Sequence, residues 1–308
     1  GREYEEPYDS LVLAPGAAPV RPPLPGIDLP GIFALRSIPD SRHIREWIDA
    51  KKATRAVIVG GGFIGLEMTE NLVHRGLSVT LIEKLPQVMA VLDPEMVTTV
   101  HCGLRQAGVD LRLGEGVAEF RQLDDGRLGV ASDAGALYEA DMVILAIGVR
   151  PETALARQAG LEIGARGGIR TDEHMRTDDP HIWAVGDAVE VRDTVTGEWT
   201  LIPLAGPANR QGRIAADNIF GRPSRFRGVQ GTAVCGLFDL VIACTGASER
   251  TLQRIGMPYE KVYLHPGHHV GYYPGATPID MKLLYAPDDG RILGAQAVGA
   301  EGVDKRID

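Results

Sequence analysis

Three glycines and one acid carry the most definite chemistry in this chain. Gly60, Gly62 and Gly65 interrupt the run Val57-Ile58-Val59-Gly60-Gly61-Gly62-Phe63-Ile64-Gly65-Leu66-Glu67, and Glu83 closes a second apolar run, Val79-Thr80-Leu81-Ile82. Glycine at the first position permits a tight turn, at the second lets backbone approach a pyrophosphate, and at the third lets helix and strand pack closely. A carboxylate near the expected offset of about 20 residues accepts hydrogen bonds from ribose hydroxyls. This is the chemistry of dinucleotide binding. The elements that must position it are a strand, a glycine turn, a helix and a second strand. The helix N-terminus offers unpaired N–H groups and a positive dipole end to the phosphates. A carboxylate at Glu83 also repels a 2′-phosphate, so NADH is favoured over NADPH. Lys84 either softens that repulsion or is a solvated surface charge.

With 308 residues, the chain has room for two or three domains. Its 44% apolar and 24% charged residues are those of an ordinary globular protein. A net charge of −9 argues against a nucleic-acid or anionic-membrane partner. No apolar run approaches the ~20 residues that span a membrane, and Gly1-Arg2-Glu3-Tyr4-Glu5-Glu6 lacks the apolar core of a secretory signal. Cys102, Cys235 and Cys244 form no C-x-x-C pair and no disulfide framework, so a reducing, cytoplasmic setting is expected. Cys235 and Cys244 lie in apolar runs, where cysteine acts as a small hydrophobe.

Two segments repeat one pattern: an aspartate, a buried strand, then A-x-G-x-x-P. They are Asp9-Ser10-Leu11-Val12-Leu13-Ala14-Pro15-Gly16-Ala17-Ala18-Pro19 and Asp141-Met142-Val143-Ile144-Leu145-Ala146-Ile147-Gly148-Val149-Arg150-Pro151. Continuous apolar runs of this kind are parallel strands buried on both faces. The second copy is expected to close the unit opened at Val57. The first has no glycine fingerprint before it, so the chain reads as a fragment, or a heavily truncated homologue, lacking the opening of a first nucleotide domain. A third motif, Thr177-Asp178-Asp179-Pro180-His181-Ile182-Trp183-Ala184-Val185-Gly186-Asp187, is a turn, a short strand and a Gly-Asp end. Its carboxylate is either a binder of a polyhydroxyl chain such as ribitol or a cap or turn former.

Further on, Leu204-Ala205-Gly206-Pro207-Ala208-Asn209-Arg210-Gln211 leads into the helical pattern Ile214–Phe220, with Pro207 placed for a first turn. Strands are predicted over Thr232–Leu240, Val241–Thr245, Val262–Leu264, Met281–Tyr285 and Ile292–Val298, with turns at Pro266-Gly267 and Pro287-Asp288-Asp289-Gly290. His265, His268 and His269 do not form a metal set: Pro266-Gly267 breaks any helical ligand face and no cysteine accompanies them.

In combination and order, these motifs resemble the pyridine nucleotide–disulfide oxidoreductases, flavoproteins with two dinucleotide domains, over nearly the whole chain. The resemblance implies an α/β fold of Rossmann-like three-layer nucleotide-binding domains, followed by an α+β dimerisation domain with an antiparallel sheet. Residues 1–40 and 150–224 would be the remaining part of an FAD-binding domain, 41–149 an NAD(P)H-binding domain, and 225–308 a truncated interface domain. The cofactors implied are FAD and NADH, held by Gly60, Gly62, Phe63, Ile64, Gly65, Glu67, Glu83, Lys84, Ala146, Ile147, Gly148, Gly186, Asp187, Leu204 and Ala205. Within that set, Gly186 and Asp187 close on FAD, and the helix beginning at Leu204–Ala205 faces the flavin. Phe63 gates the nicotinamide, its plainer alternative being helix–sheet packing. Glu67 pairs in the family with a lysine that would precede Gly1, so here it is expected to be solvated.

The strings His268-His269-Val270-Gly271-Tyr272-Tyr273-Pro274-Gly275 and Gly302-Val303-Asp304-Lys305-Arg306-Ile307-Asp308 resemble the branch of coenzyme A-disulfide reductases, NADH oxidases and persulfide reductases. The resemblance implies a homodimer in which Tyr273 reaches toward the other subunit's redox cysteine, with Asn209 and Arg210 near bound coenzyme A. That cysteine is not among these residues. Alone, the chain is therefore expected to bind NADH, to hold FAD poorly or not at all, and to lack disulfide reduction. The competing expectations are an NADH oxidase or peroxidase, a rubredoxin- or ferredoxin-type reductase, and a catalytically silent NADH-binding dimerisation module.

Overall fold

The computed structural model describes residues 3–307; Gly1, Arg2 and Asp308, at the ends of the first and last predicted domains, lie outside them. Two compact units divide the chain, Gly1–Ala18 with Val149–Gly231, and Pro19–Gly148 with Thr232–Asp308.

In the second unit, five parallel strands form a sheet in the order Ile32–Ala34, Met142–Leu145, Arg55–Val59, Ser78–Glu83, Asp110–Leu113. Strand alternation divides its side chains between two layers. Ala56, Ile58, Leu81 and Ile144 pack against helices that include Ile38–Lys51 and Phe63–His74, through Ile48, Leu66 and Leu72. Val57, Val59, Val143 and Leu145 face Phe120, Leu128 and Val130 of a three-stranded antiparallel sheet, Val117–Gln122, Leu128–Ser132 and Leu137–Ala140. Both faces are covered, which is why these strands read as continuous apolar runs. The fold is the expected three-layer α/β nucleotide-binding architecture.

The same unit carries a five-stranded antiparallel sheet in the order Ala233–Leu237, Leu240–Gly246, Ile292–Gly299, Ile279–Tyr285, Glu260–Leu264. The predicted strand Thr232–Leu240 is corrected: it ends at Leu237, and Phe238-Asp239 form a two-residue hairpin turn. Phe238 holds φ at 53°, a region that disfavours a bulky side chain. Contacts from the nucleotide fold hold it there: its N–H donates to Glu70 Oε1 at 2.8 Å, and its ring meets that of His74 edge-on with centroids 5.7 Å apart.

A buried charge cluster joins this sheet to the nucleotide fold. Lys282 is fully buried, and its Nζ donates to Asp93 Oδ2 at 2.8 Å and also to Glu95 and Glu249. Asp93 further accepts from Gln296 Nε2 at 2.7 Å and from the Glu249 N–H at 3.1 Å. These three acids are grouped closely enough to suit a metal ion, but the Lys282 ammonium occupies the space between them. Burial pushes the Glu249 carboxyl up, yet hydrogen bonds from Lys282, Tyr259 and Lys261 outweigh it and hold the group at about 2, below its ordinary 4.5. Glu95 is lowered by the same balance, burial opposing hydrogen bonds from Lys282 and Tyr263. For carboxyls held low, the stabilisation is present above the ordinary value and is lost as pH falls through the folded one. Urea midpoints measured between pH 4.5 and 2 should therefore fall more steeply for the native protein than for Glu249→Gln. Equal slopes would show that the cluster does not govern acid unfolding.

In the first unit, Leu11–Leu13 pairs in parallel with Ile182–Ala184, and Ala17–Pro19 pairs with Val149–Pro151, so the exits of the two repeated segments lie side by side. The expectation that Leu11–Leu13 is fully buried is corrected. Val12 is 43% exposed, because Leu11 and Leu13 pack on the core and alternation points Val12 to the opposite face. The helix Ala205–Ile219 packs beside them through Ala215, against Trp183 and Val185, with Pro207 in its first turn.

Candidate functional site

The strand order of the parallel sheet locates the site. From Arg55–Val59 the chain moves outward through Ser78–Glu83 to Asp110–Leu113, then returns to the opposite side at Met142–Leu145. A crevice opens at such a reversal, beyond the carboxyl ends of the strands, and there open α/β sheets take ligands. Gly60 and Ala146 leave these two adjacent strands together, with the Ala146 N–H donating to the Val59 carbonyl at 2.8 Å. Gly60 turns the chain at φ 107°, and a Cβ there would run into the Ala146 carbonyl. A Cβ on Gly65 would overlap the Gly60 carbonyl, so the helix Phe63–His74 can approach the strand only without one. Gly62 differs from both. It is the helix N-cap, is exposed, and has nothing within 4 Å of where its Cβ would stand. No protein atom requires glycine there, and the space over the helix start is open to a ligand.

Glu83 reaches this turn. Its Oε2 accepts the Gly61 N–H at 2.7 Å and its Oε1 accepts the Leu85 N–H at 2.8 Å. The carboxylate is half-buried and fixed, with lone pairs left over for further donors. Gly61 and Leu85 are contributors the sequence reading missed, since backbone donors leave no trace in residue type. A second omission is the segment after Glu83, which folds back over the turn: the Met89 N–H donates to the Gly61 carbonyl at 2.8 Å, and Val88 fills the space a Cβ on Gly61 would need. Phe63 is half-buried and packs against the helix-side core, and Ile64 is half-buried beside it. Glu67 is exposed on the next turn, and Lys84 is exposed without an ion pair among the described residues. Ile147 and Gly148 continue the rim, both exposed. The structure thus brings together Gly60, Gly62, Gly65, Glu83 and Ala146, while Glu67 and Lys84 stand at the edge of that group.

A separate constellation lies in the first unit. Gly186 and Asp187 follow the strand Ile182–Ala184 in a short 3-10 turn set on the opening turns of the helix Ala205–Ile219. The Gly186 N–H donates to Gln211 Oε1 at 2.6 Å, a contact the sequence reading did not anticipate. Burial raises the Asp187 carboxyl above its ordinary 3.8, and among the described residues its side chain has no hydrogen-bond partner. Such a carboxyl is an unused acceptor. Leu204 is the N-cap of that helix and Ala205 its first residue, with Asn209 and Arg210 exposed one turn on. Tyr273 lies elsewhere, in the loop between the strands Glu260–Leu264 and Ile279–Tyr285, 53% exposed beside the more exposed Tyr272. Burial pushes the thiols of Cys235 and Cys244 up to about 11, as befits packing groups rather than nucleophiles.

A glycine turn at the switch point with an acid fixed beside it defines a dinucleotide-binding fold, followed here by an antiparallel sheet. Residues 1–212 match the pyridine nucleotide-disulphide oxidoreductase model and residues 232–308 its dimerisation domain, and the chain belongs to this family. It is 40% identical to an NADH oxidase of Methanocaldococcus jannaschii, over 100% of this chain and 68% of that protein. Among solved structures it resembles reduced Bacillus anthracis CoADR-RHD, with 48% identity and a TM-score of 0.96, covering 99% of this chain and 54% of that one. It also resembles a NAD-dependent persulfide reductase from A. fulgidus, with 39% identity and a TM-score of 0.94, covering 97% and 55%. The chain therefore spans a little over half the length of these solved relatives. The family is FAD-dependent and uses a nicotinamide dinucleotide. Among the described residues, no helix is long and apolar enough to cross a membrane.

Proposed function

We propose that this chain is the nucleotide-handling and dimer-forming part of a cytoplasmic, FAD-dependent enzyme that uses NADH to reduce coenzyme A disulfide or a persulfide. The domain division is the one expected above, 1–40 with 150–224 serving FAD, 41–149 serving NADH and 225–308 forming a homodimer interface, except that Ile32–Ala34 pairs into the sheet of the glycine turn and so goes with the NADH part. The observation that carries the reading is the open space over Gly62, with the Glu83 carboxylate fixed at one side of the turn. The residues fit the group. In this reading the N–H groups at the helix start hold the pyrophosphate, Glu83 accepts the adenosine ribose hydroxyls, and Asp187 accepts from the ribitol chain. When bound, the nicotinamide and flavin supply the hydride chemistry, and the protein supplies placement and electrostatics. Tyr273 offers a phenol to the sulfur of the thiol substrate. Similarity to CoADR-RHD and to the persulfide reductase supports the disulfide or persulfide as acceptor.

Similarity to an NADH oxidase favours oxygen as a second reading of the acceptor. Supplying the full-length protein with NADH and either coenzyme A disulfide or oxygen separates the two. Faster NADH consumption with oxygen than with the disulfide would replace the first reading by the second. Gly62→Ala tests the nucleotide site independently. Its Cβ meets open space, so stability should fall by no more than the ~1 kcal/mol that alanine costs at an N-cap, while NADH binding measured by calorimetry should weaken by about tenfold as the methyl blocks the pyrophosphate. Unchanged affinity would mean that nothing approaches the turn there.

A further inference from the structure

The loop that presents Tyr273 is closed at its neck and stacked at its tip. The Ile279 N–H donates to the Pro266 carbonyl at 2.8 Å and the His268 N–H to the Thr277 carbonyl at 3.0 Å, with Gly267 bridged to Pro278 between them. At the tip the Tyr273 N–H donates to the Val270 carbonyl at 2.9 Å. Inside this frame three rings follow one another. His269 lies flat against Tyr273, with centroids 4.7 Å apart and an interplanar angle of 15°. His268 meets the His269 ring edge-on, at 4.3 Å and 85°. The side chain of His268 is only 5% exposed. Its Nδ1 accepts the Thr277 N–H at 2.9 Å, which leaves the Nε2 side to the Glu301 carboxylate at 3.4 Å. His269, by contrast, is exposed, and its ring nitrogens make no hydrogen bond among the described residues. Its evident occupation is the stack.

We propose that His269 is a positioning residue for Tyr273: its ring, braced by the anchored His268, holds the phenol in the orientation that meets the thiol substrate. This rests on the reading of Tyr273 as the substrate-facing phenol. Within its own chain Tyr273 is half exposed and has no hydrogen bond from its hydroxyl among the described residues, so the stack is the restraint that its own subunit supplies. A stacked pair of this kind restricts the ring without touching the substrate, and offset stacking needs only a flat π-face. Phenylalanine can therefore replace His269, whereas alanine cannot.

The test uses the full-length dimeric protein carrying His269→Ala, His269→Phe or Tyr273→Phe, with coenzyme A disulfide and NADH as substrates. A fluorotyrosine introduced at position 273 reports the ring's surroundings by fluorine resonance. His269→Ala should lower disulfide turnover about three- to tenfold, leave KM for NADH unchanged, and move the fluorine signal toward that of free fluorotyrosine. His269→Phe should restore turnover and signal together. Normal turnover in His269→Ala, alongside impaired turnover in Tyr273→Phe, would overturn the positioning role. Normal turnover in Tyr273→Phe would sink the underlying assignment of the phenol, and the positioning role with it, whatever the fluorine signal shows.

Discussion

Lys282→Met is expected to cost about 3–5 kcal/mol of stability, the cost of removing one partner from a buried ion pair. In thermal unfolding this corresponds to a loss of roughly 10 °C at the midpoint of the unit that contains it. The magnitude follows from what remains. Asp93, 2% exposed at its side chain, and Glu249, 14% exposed, would face each other with the buried cation between them gone. Protonating one of them relieves part of the repulsion, so the destabilisation should shrink as pH falls toward the ordinary carboxyl range. The sign for Lys282 itself runs the other way. Burial pushes its ammonium down, but hydrogen bonds from Lys282 to Asp93, Glu249 and Glu95 outweigh this and raise it above its ordinary 10.5. Its contribution is therefore complete at neutral pH and fades only as pH rises through the folded value. Pairing Lys282→Met with Asp93→Asn should recover part of the loss, which denaturant titration of the two variants can measure. A single variant as stable as the native protein would show that the cluster adds nothing to the join between sheet and nucleotide fold.

The second large effect is expected at Glu83. Its carboxylate accepts from Gly61 and Leu85 N–H groups, so it is oriented before any nucleotide arrives. Glu83→Gln puts an amide NH2 where an acceptor is needed, and one backbone N–H then faces a donor. Charge-assisted hydrogen bonds are worth about 1.5–3 kcal/mol each, and losing those to the ribose should weaken NADH by roughly two orders of magnitude. NADPH should lose much less, because removing the charge also removes repulsion of its 2′-phosphate. Calorimetric titration of both nucleotides therefore yields a ratio as well as an affinity. If the variant binds NADH as the native chain does, the carboxylate is only a brace for the glycine turn.

The nucleotide fold was legible because its physics is local. Val57–Val59 must be buried on both faces to be apolar at successive positions, and Gly60 and Gly65 are needed where backbone meets backbone. The strand and helix spacing around them follows from the same residues, as does the acid that ends the second strand. The helix at Ala205 and the Gly-Asp turn were legible for similar reasons, each marked by a proline or glycine with a conformational duty.

Other features depended on residues far apart in sequence. Phe238 reads as the inside of a strand, yet it stands in a turn, held by Glu70 and His74 from the nucleotide fold. Lys282 sits in the apolar strand Ile279–Tyr285, a charge that composition treats as surface; partners 33 to 189 residues away make it core. The stack of His269 on Tyr273 joins residues four apart, inside a loop whose neck is closed between Pro266 and Ile279.

Residue types and their spacing determined the class of fold, the glycine turn and the acid beside it, since steric demand and burial act between near neighbours. The tertiary structure alone decided which charges are interior, which backbone N–H groups orient Glu83, and what restrains Tyr273. Those outcomes arise from contacts across the chain, where a hydrogen bond or a stacked ring depends on position in space and leaves no pattern along the sequence.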